Sequence, residues 1–197
     1  MTELIRITVG DLLDAVALKF PENEALIDLP KGKRYSYRKF LKMVNQLAKG
    51  FLRLGLKKGE HLALWAPNRS EWIITEFAIA KIGGVLISID TNCQPQQLEY
   101  FLKQSDSRSL VMTEGSKGSE YIEMIQQICP KVNDSIPCPL NSSTLPELKN
   151  LILIADRPHS GMLNWREILG MGKEVDDHVL AERQGSCHED DVVTILY

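Results

Sequence analysis

The sequence contains no run approaching the ~18 consecutive apolar residues of a membrane-spanning helix, which leaves no candidate for one. Its four cysteines, Cys93, Cys129, Cys138 and Cys187, form no C-x-x-C pair and lie far apart, which argues against a zinc site and for reduced thiols. Basic charge is not in excess. With 23 Lys and Arg against 26 Asp and Glu the net charge is −3, and scattered cations on a mildly acidic chain offer nucleic acid no field. The opening MTELIRITVGDLL has neither a basic segment followed by an apolar one nor an Arg/Ser-rich composition, so no targeting peptide is visible and a cytoplasmic location is the default.

What is present is ordinary globular material. Hydrophobic residues make up 44% of 197 residues, and the 13 glycines bring the apolar share to about half. That length suits one domain, or one and a part, with a real core. Thr8 followed by Asp11 reads as a capping pattern, and Val9, Leu12, Leu13, Val16, Ala17 and Phe20 recur as one helical apolar face that Pro21 stops. Glu24 to Asp28 and Arg34 to Tyr37 flank a Pro30–Gly32 turn and predict a hairpin. A helix from Tyr37 to Leu54 follows, with Ser36 as cap, Gly55 as left-handed terminator and Leu56 as closing contact.

A rhythm then sets in. HLALWA (His61–Ala66), VLISI (Val85–Ile89), SLVMT (Ser109–Thr113), Leu151 to Ile154 and VVTILY (Val192–Tyr197) are apolar strands. Helices from Glu71 to Ile82, from Pro95, from Tyr121 to Ile128 and near Trp165 to Leu169 alternate with them. Continuous apolar strands alternating with amphipathic helices predict an α/β fold, a mostly parallel sheet with helices on both faces. Residues 131–150, with Pro137, Pro139, Pro146 and many Ser and Asn, predict a surface excursion.

The chemistry-bearing residues give no catalytic set. Gly83-Gly84 ends a helix before a strand, the reverse of the dinucleotide fingerprint. Gly115-Ser116-Lys117-Gly118-Ser119 follows a strand and precedes a helix but lacks the Walker spacing, so a plain loop is preferred. His61, His159, His178 and His188 have no ligand-like spacing, Asp190-Asp191 reads as a solvated loop, and Trp65 and Trp72 as packing. Asp90 stands at the carboxyl end of a parallel strand, where open α/β sheets place ligands.

The order of these features is more specific than any one of them. Gly55 to Met112 resembles the N-terminal region of the AMP-forming acyl-CoA ligases. The matching features are a Gly59-Glu60 turn, a strand ending in Pro67-Asn68, a Lys81–Gly84 helix stop, a Pro95-initiated helix and the strand Leu110–Met112. TVGDLLDAVALKFPENEALI resembles the family's entry helix, and RYSYRKFLKMVNQLAKGFLRLG its T/S-Y-x-E-L helix, with Lys39 in place of the usual acid. LEYFLKQS, IQQICPKV, LPELKNLI and SCHEDDVVTILY are most similar to the medium- and long-chain fatty-acyl subgroup.

The resemblance implies that residues 1–197 are the N-terminal portion of the AMP-binding domain, with the Ser/Thr/Gly-rich phosphate loop directly after Tyr197. It implies ATP, Mg²⁺ and coenzyme A for the full-length enzyme, a fatty acid as substrate, and an isolated portion that is inactive. No catalytic or metal-binding residue of the family transfers to positions 1–197. Asp90, in the loop Asp90–Gln94, is the one candidate for lining a CoA or substrate approach; the family usually has Asn-Pro or Asp-Pro there, and Thr91-Asn92 departs from it. Self-association through an unpaired strand and peripheral membrane contact are further expectations. Two alternatives stand beside the ligase: an adenylating module that loads a carrier protein or forms an amide, and a non-catalytic α/β scaffold.

Overall fold

The computed structural model describes residues 6–116, 119–130, 140 and 142–197. The chain opens with α1 (Val9–Lys19), whose Thr8 side chain accepts from the Asp11 amide as the capping pattern predicts. The hairpin β1 (Glu24–Asp28) and β2 (Lys33–Ser36) is antiparallel, and α2 (Tyr37–Arg53) follows it. Then come β3 (His61–Trp65), α3 (Ser70–Lys81), β4 (Val85–Ser88), α4 (Pro95–Gln104) and β5 (Ser109–Thr113). A two-residue-per-strand hairpin, β6 (Gly115–Ser116) and β7 (Ser119–Glu120), leads into α5 (Tyr121–Ile128). The last third holds β8 (Asn150–Ile154), β9 (Leu163–Asn164), α6 (Trp165–Met171), a 3-10 turn Gly172–Glu174, α7 (Asp177–Gly185) and β10 (Thr194–Leu196).

Six of these strands form one parallel sheet in the order β10-β4-β3-β5-β8-β9. Alternate residues of each apolar strand feed opposite faces, which is why the strands show no polar alternation. Leu62, Leu64, Leu86, Val111 and Ile152 point into a core shared with α1, α2, α3 and α6. Ala63, Trp65, Ile87, Leu110, Met112, Leu151 and Leu153 point into a second core under α4 and α5. Val44, Leu47, Ala48 and Phe51 on α2 are fully buried. Each large apolar side chain so buried contributes about 2 kcal/mol. The helix ends as expected: Gly55 has φ +91°, its amide donates to the Leu52 carbonyl, and the Leu56 amide donates to the Phe51 carbonyl.

Four expectations change. Leu12 and Phe20 are exposed, because only Leu13, Ala17 and Gly10 of α1 reach the core. Pro137, Pro139 and Cys138 lie outside the described residues, but Leu140, Leu145 and Leu148 are buried against α4 and α5, so the segment before β8 is not wholly a surface excursion. No helix is expected between Leu169 and Val192, yet α7 lies there; it buries only Leu180 and therefore has almost no hydrophobic signature. The strand around VVTILY is no buried core strand: β10 is an edge strand, and Leu196 is 75% exposed.

Candidate functional site

The path of the chain opens a crevice at the carboxyl ends of the parallel strands. After β3 the chain turns through Pro67, Asn68 and Arg69 into α3 on one face of the sheet. After the neighbouring β4 it turns through Ile89–Gln94 into α4 on the other face. Adjacent strands whose connections leave in opposite directions are where open α/β sheets bind ligands. Asp90 therefore lies at the switch point, as its position after VLISI predicts, and it is exposed.

The turn that carries Asp90 is fixed from above and below. One Asp90 carboxylate oxygen accepts from the Asn92 amide at 2.9 Å and from its side-chain Nδ2 at 3.0 Å, forming an Asx turn. Beneath it the indole of Trp65, the last residue of β3, donates to the Asp90 carbonyl at 3.1 Å. The hydroxyl of Tyr121, the first residue of α5, donates to the Thr91 carbonyl at 2.9 Å. The two rings stack with centroids 3.6 Å apart and planes 14° apart, and both are fully buried. Cys93 is buried below the same turn; burial first, and then the Asp90 charge, push its thiol up to about 11, so it is an unreactive packing group. On the outer side, Tyr197 packs on Phe101 of α4 with ring centroids 5.0 Å apart, so β10 ends beside this turn.

A second polar feature lies along the same edge, where a cleft of about 500 Å³ separates the β1–β2 hairpin from α3 and α6. Lys31, Arg69 and Glu71 on its wall belong to a network that continues behind the wall through Ser70 to Asp28. Asp28 accepts from the Ser70 amide at 3.0 Å and hydroxyl at 2.8 Å, and Glu71 pairs with Lys31 and Arg69, each at 2.9 Å. Burial pushes Glu71 up, but the hydrogen bonds from Arg69 and Lys31 outweigh it and hold the carboxyl down at about 2. Trp165 at the start of α6 donates to the Thr75 hydroxyl of α3 at 3.2 Å, joining these helices below the cleft. No local pattern in the sequence signals this network, because Asp28 and Lys31 belong to the hairpin while Ser70 and Glu71, which they meet, open α3.

The other sequence candidates fall apart spatially. Gly83 takes φ +69° and closes α3 at the opposite end of the sheet from Asp90. Gly115, Ser116 and Ser119 form the β6–β7 hairpin, while Lys117 and Gly118 lie outside the described residues. His61 binds the Ser105 carbonyl, His159 the Ser160 carbonyl, and His178 and His188 use their backbone amides in caps and turns. Asp191 accepts from the His188 amide and pairs with Lys58 at 2.8 Å, and Asp190 is exposed. Trp65 is core, and Trp72 packs against the α2 side. Among the described residues no group of three or more His, Cys, Asp or Glu could hold a metal ion. Among the described residues no helix is long and apolar enough to cross a membrane.

Comparison with known proteins fits this architecture. The family model for AMP-binding enzymes matches residues 13–197. YngI of Bacillus subtilis, which carries the name of an acyl-CoA synthetase, is 39% identical over 197 residues, covering 100% of this chain and 36% of YngI. The medium-chain acyl-CoA ligase ACSF2 of Macaca fascicularis, a mitochondrial protein by name, is 37% identical over 191 residues, covering 94% of this chain and 30% of its own. In structure, the long-chain-fatty-acid-CoA ligase FadD1 of Archaeoglobus fulgidus superposes with a TM-score of 0.72 at 20% identity, over 99% of this chain and 35% of that one. The chain thus spans about a third of the length of the relatives it matches. With a family match across residues 13–197, the chain belongs to the AMP-binding enzymes, and its relatives in that family carry the names of acyl-CoA synthetases and ligases.

Proposed function

We propose that this chain is the scaffold portion of an ATP-dependent fatty-acid–CoA ligase acting in the cytoplasm. The observation that carries this reading is the 39% identity to YngI, named as an acyl-CoA synthetase, along the entire chain. In the proposed reaction a fatty carboxylate oxygen attacks the α-phosphorus of ATP, and pyrophosphate leaves. The CoA sulfur, losing its proton, then attacks the acyl carbon, and AMP leaves. Adenylation is needed because a carboxylate oxygen is a poor leaving group, whereas AMP is a good one.

This portion supplies a rigid edge rather than a reacting group. The β10 exit, the Asp90–Gln94 turn and the crevice after β3 lie together on that edge, and a phosphate-binding loop following Tyr197 would emerge there. The 197-residue chain alone is inactive on this reading, because the resemblance places the family's phosphate-binding and reacting groups after Tyr197. On this reading magnesium would enter with ATP and neutralise charge on its phosphates.

The test has two parts. Coding sequence beyond Tyr197 should encode a Ser/Thr/Gly-rich loop, and its lack would end the ligase reading. Fatty-acid-dependent ATP–pyrophosphate exchange should appear with the longer polypeptide and not with this chain; appreciable exchange by the 197 residues alone would overturn their inactivity. The open β10 edge, with Leu196 exposed, also supports self-association of the isolated chain, which a clean monomer in sedimentation at high concentration would refute.

A further inference from the structure

We infer that the tip of the β1–β2 hairpin and the first turns of α2 form a surface that docks on an anionic lipid membrane. The inference goes beyond the ligase reading and does not depend on it.

The net charge of −3 conceals a local surplus of the opposite sign. Residues 29–42, LPKGKRYSYRKFLK, hold six of the chain's 23 Lys and Arg and none of its 26 Asp and Glu. This run covers the hairpin turn, β2 and the start of α2, so the fold keeps its cations near one another. Three of them have acidic partners from outside the run. Lys31 pairs with Glu71 at 2.9 Å, Arg34 with Glu24, and Arg38 with Glu22 at 2.6 Å. Lys33, Lys39 and Lys42 are exposed and make no ion pair among the described residues.

Exposed apolar side chains stand at both ends of the run. Leu29, at its start, is 79% exposed, and Ile27 beside it is exposed as well. Leu29 opens a turn that is held from within. The Gly32 amide donates to the Leu29 carbonyl at 3.1 Å, Pro30 takes the second position, and Asp28 accepts from the Lys31 amide at 3.3 Å. The tip is thus shaped before it meets a partner, and docking it costs little ordering. At the α2 end Leu18, 86% exposed, lines a groove of about 800 Å³ with Arg38, Leu41 and Lys42. Leucines held in water beside unpaired lysines contribute nothing to the core; they gain when they enter an apolar layer.

This mixture selects among polyanions. A nucleic-acid backbone uses the cations but gives Leu29 no apolar phase to enter. An acidic protein surface could meet both features, but protein interfaces favour arginine and are depleted of lysine. Four of the six cations here are lysines, compact point charges that suit a diffuse headgroup layer better than a fixed carboxylate. An anionic bilayer takes the whole set, lysines at the headgroups and leucines just beneath them. The anionic leaflet of a cell membrane faces the cytoplasm, in keeping with the location proposed above.

The experiment is vesicle sedimentation with the full polypeptide in which these residues occur, whether or not it shows ligase activity. Vesicles are phosphatidylcholine alone, or phosphatidylcholine with about 30% phosphatidylserine. The expected result is binding to the phosphatidylserine vesicles in about 0.1 M salt that fades in about 0.5 M salt and is absent on phosphatidylcholine alone. Lys33→Gln, Lys39→Gln and Lys42→Gln should each weaken it about fivefold. Leu29→Ser should weaken it about tenfold. All four positions are exposed, so folding is left alone. Lys103→Gln, an equally exposed lysine of α4 on the other face of the sheet, should change nothing. No binding to phosphatidylserine vesicles, or equal binding to both kinds, overturns the inference. So does an effect of Lys103→Gln as large as the others, which marks net charge alone. Binding that none of the four variants weakens also overturns it, since the surface is then covered or idle in the full polypeptide. If duplex DNA displaces the vesicles and Leu29→Ser alters neither interaction, the partner is a nucleic acid and the membrane assignment fails.

Discussion

Asp28 does for α3 what α3 cannot do for itself. The residue at the helix N-cap, Arg69, makes no side-chain capping bond, so the first amides of α3 would be left without acceptors. Asp28 reaches over from the hairpin and accepts from both the Ser70 amide and its hydroxyl, while its other oxygen accepts from the Lys31 amide at 3.3 Å. Asp28→Ala should destabilise the protein by about 2 kcal/mol, seen as a lower urea midpoint at unchanged slope. Its pH behaviour has a definite sign. Burial raises the Asp28 carboxyl, but bonds from Ser70 and Lys31 bring it below its usual 3.8, and Glu71 beside it falls from 4.5 to about 2. Folded-state values below the unfolded ones mean stabilisation that is complete above pH 4.5 and is lost as pH falls toward 2. For Glu71 the loss amounts to about 3 kcal/mol. Glu71→Gln should therefore be less stable than the parent at pH 7, and that gap should narrow steadily between pH 4.5 and 2; a constant gap would exclude the ionised pair as its source. Local caps such as Thr8 with Asp11 were legible in the sequence because donor and acceptor lie within one turn. The Asp28–Ser70 cap was not, since only the tertiary fold brings the hairpin to the helix.

At the scale of elements, α2 and α6 approach so closely that glycine is required at their crossing. A Cβ on Gly50 would lie 2.1 Å from the Ile168 carbonyl oxygen, and one on Gly172 would lie 2.0 Å from the Gln46 carbonyl oxygen. Backbone carbonyls cannot rotate away as side chains can, so the elements themselves must separate. Gly50→Ala should cost about 3 kcal/mol, the upper end of what overpacking a well-packed interior costs. Gly170→Ala is the control. It lies within α6 with no neighbouring atom within 4 Å of its Cβ, so it should stabilise by about 0.5–1 kcal/mol. Thermal unfolding of both variants checks the pair, and a neutral Gly50→Ala would mean that the helices do not cross this tightly. The elements themselves were largely legible: β5 and α5 have the ends expected from the sequence, because apolar runs and Pro or Gly stops are local signals. The close packing of α2 on α6 has no such signal, and α7, with Leu180 its only buried residue, has too faint a one.

For the whole molecule, the demanding step is the return of the chain from β9, at one edge of the sheet, to β10 at the other. The chain makes this crossing over the α2 face by way of α6 and α7 and then has one neighbour, β4, to pair with. A strap at the amino end of the sheet fixes the arrival. Lys58 donates to the Ser186 carbonyl at 2.7 Å and pairs with Asp191 at 2.8 Å, and Arg183 donates to the Leu56 carbonyl at 3.1 Å. Parallel order was legible from the sequence, but not the placement of β10 beside β4, because VVTILY would fit any position in such a sheet. An edge strand held on one side opens before the core does. Lys58→Met removes the charge while keeping the stem, so amide exchange across Thr194–Tyr197 should quicken roughly tenfold, the equivalent of one charge-assisted bond, with β3 and β5 unaffected. Acid should act likewise. The hydrogen bond from Lys58, and then that from the His188 amide, hold the Asp191 carboxyl below its usual value, so its share of the strap is present above pH 3.8 and fades as pH falls further. Lys58→Met should reduce that acid-dependent loosening of β10, leaving the share that comes from the His188 amide. If β10 loosened below pH 3.8 as much in the variant as in the parent, the strap would have to be assigned to Arg183 and the backbone instead.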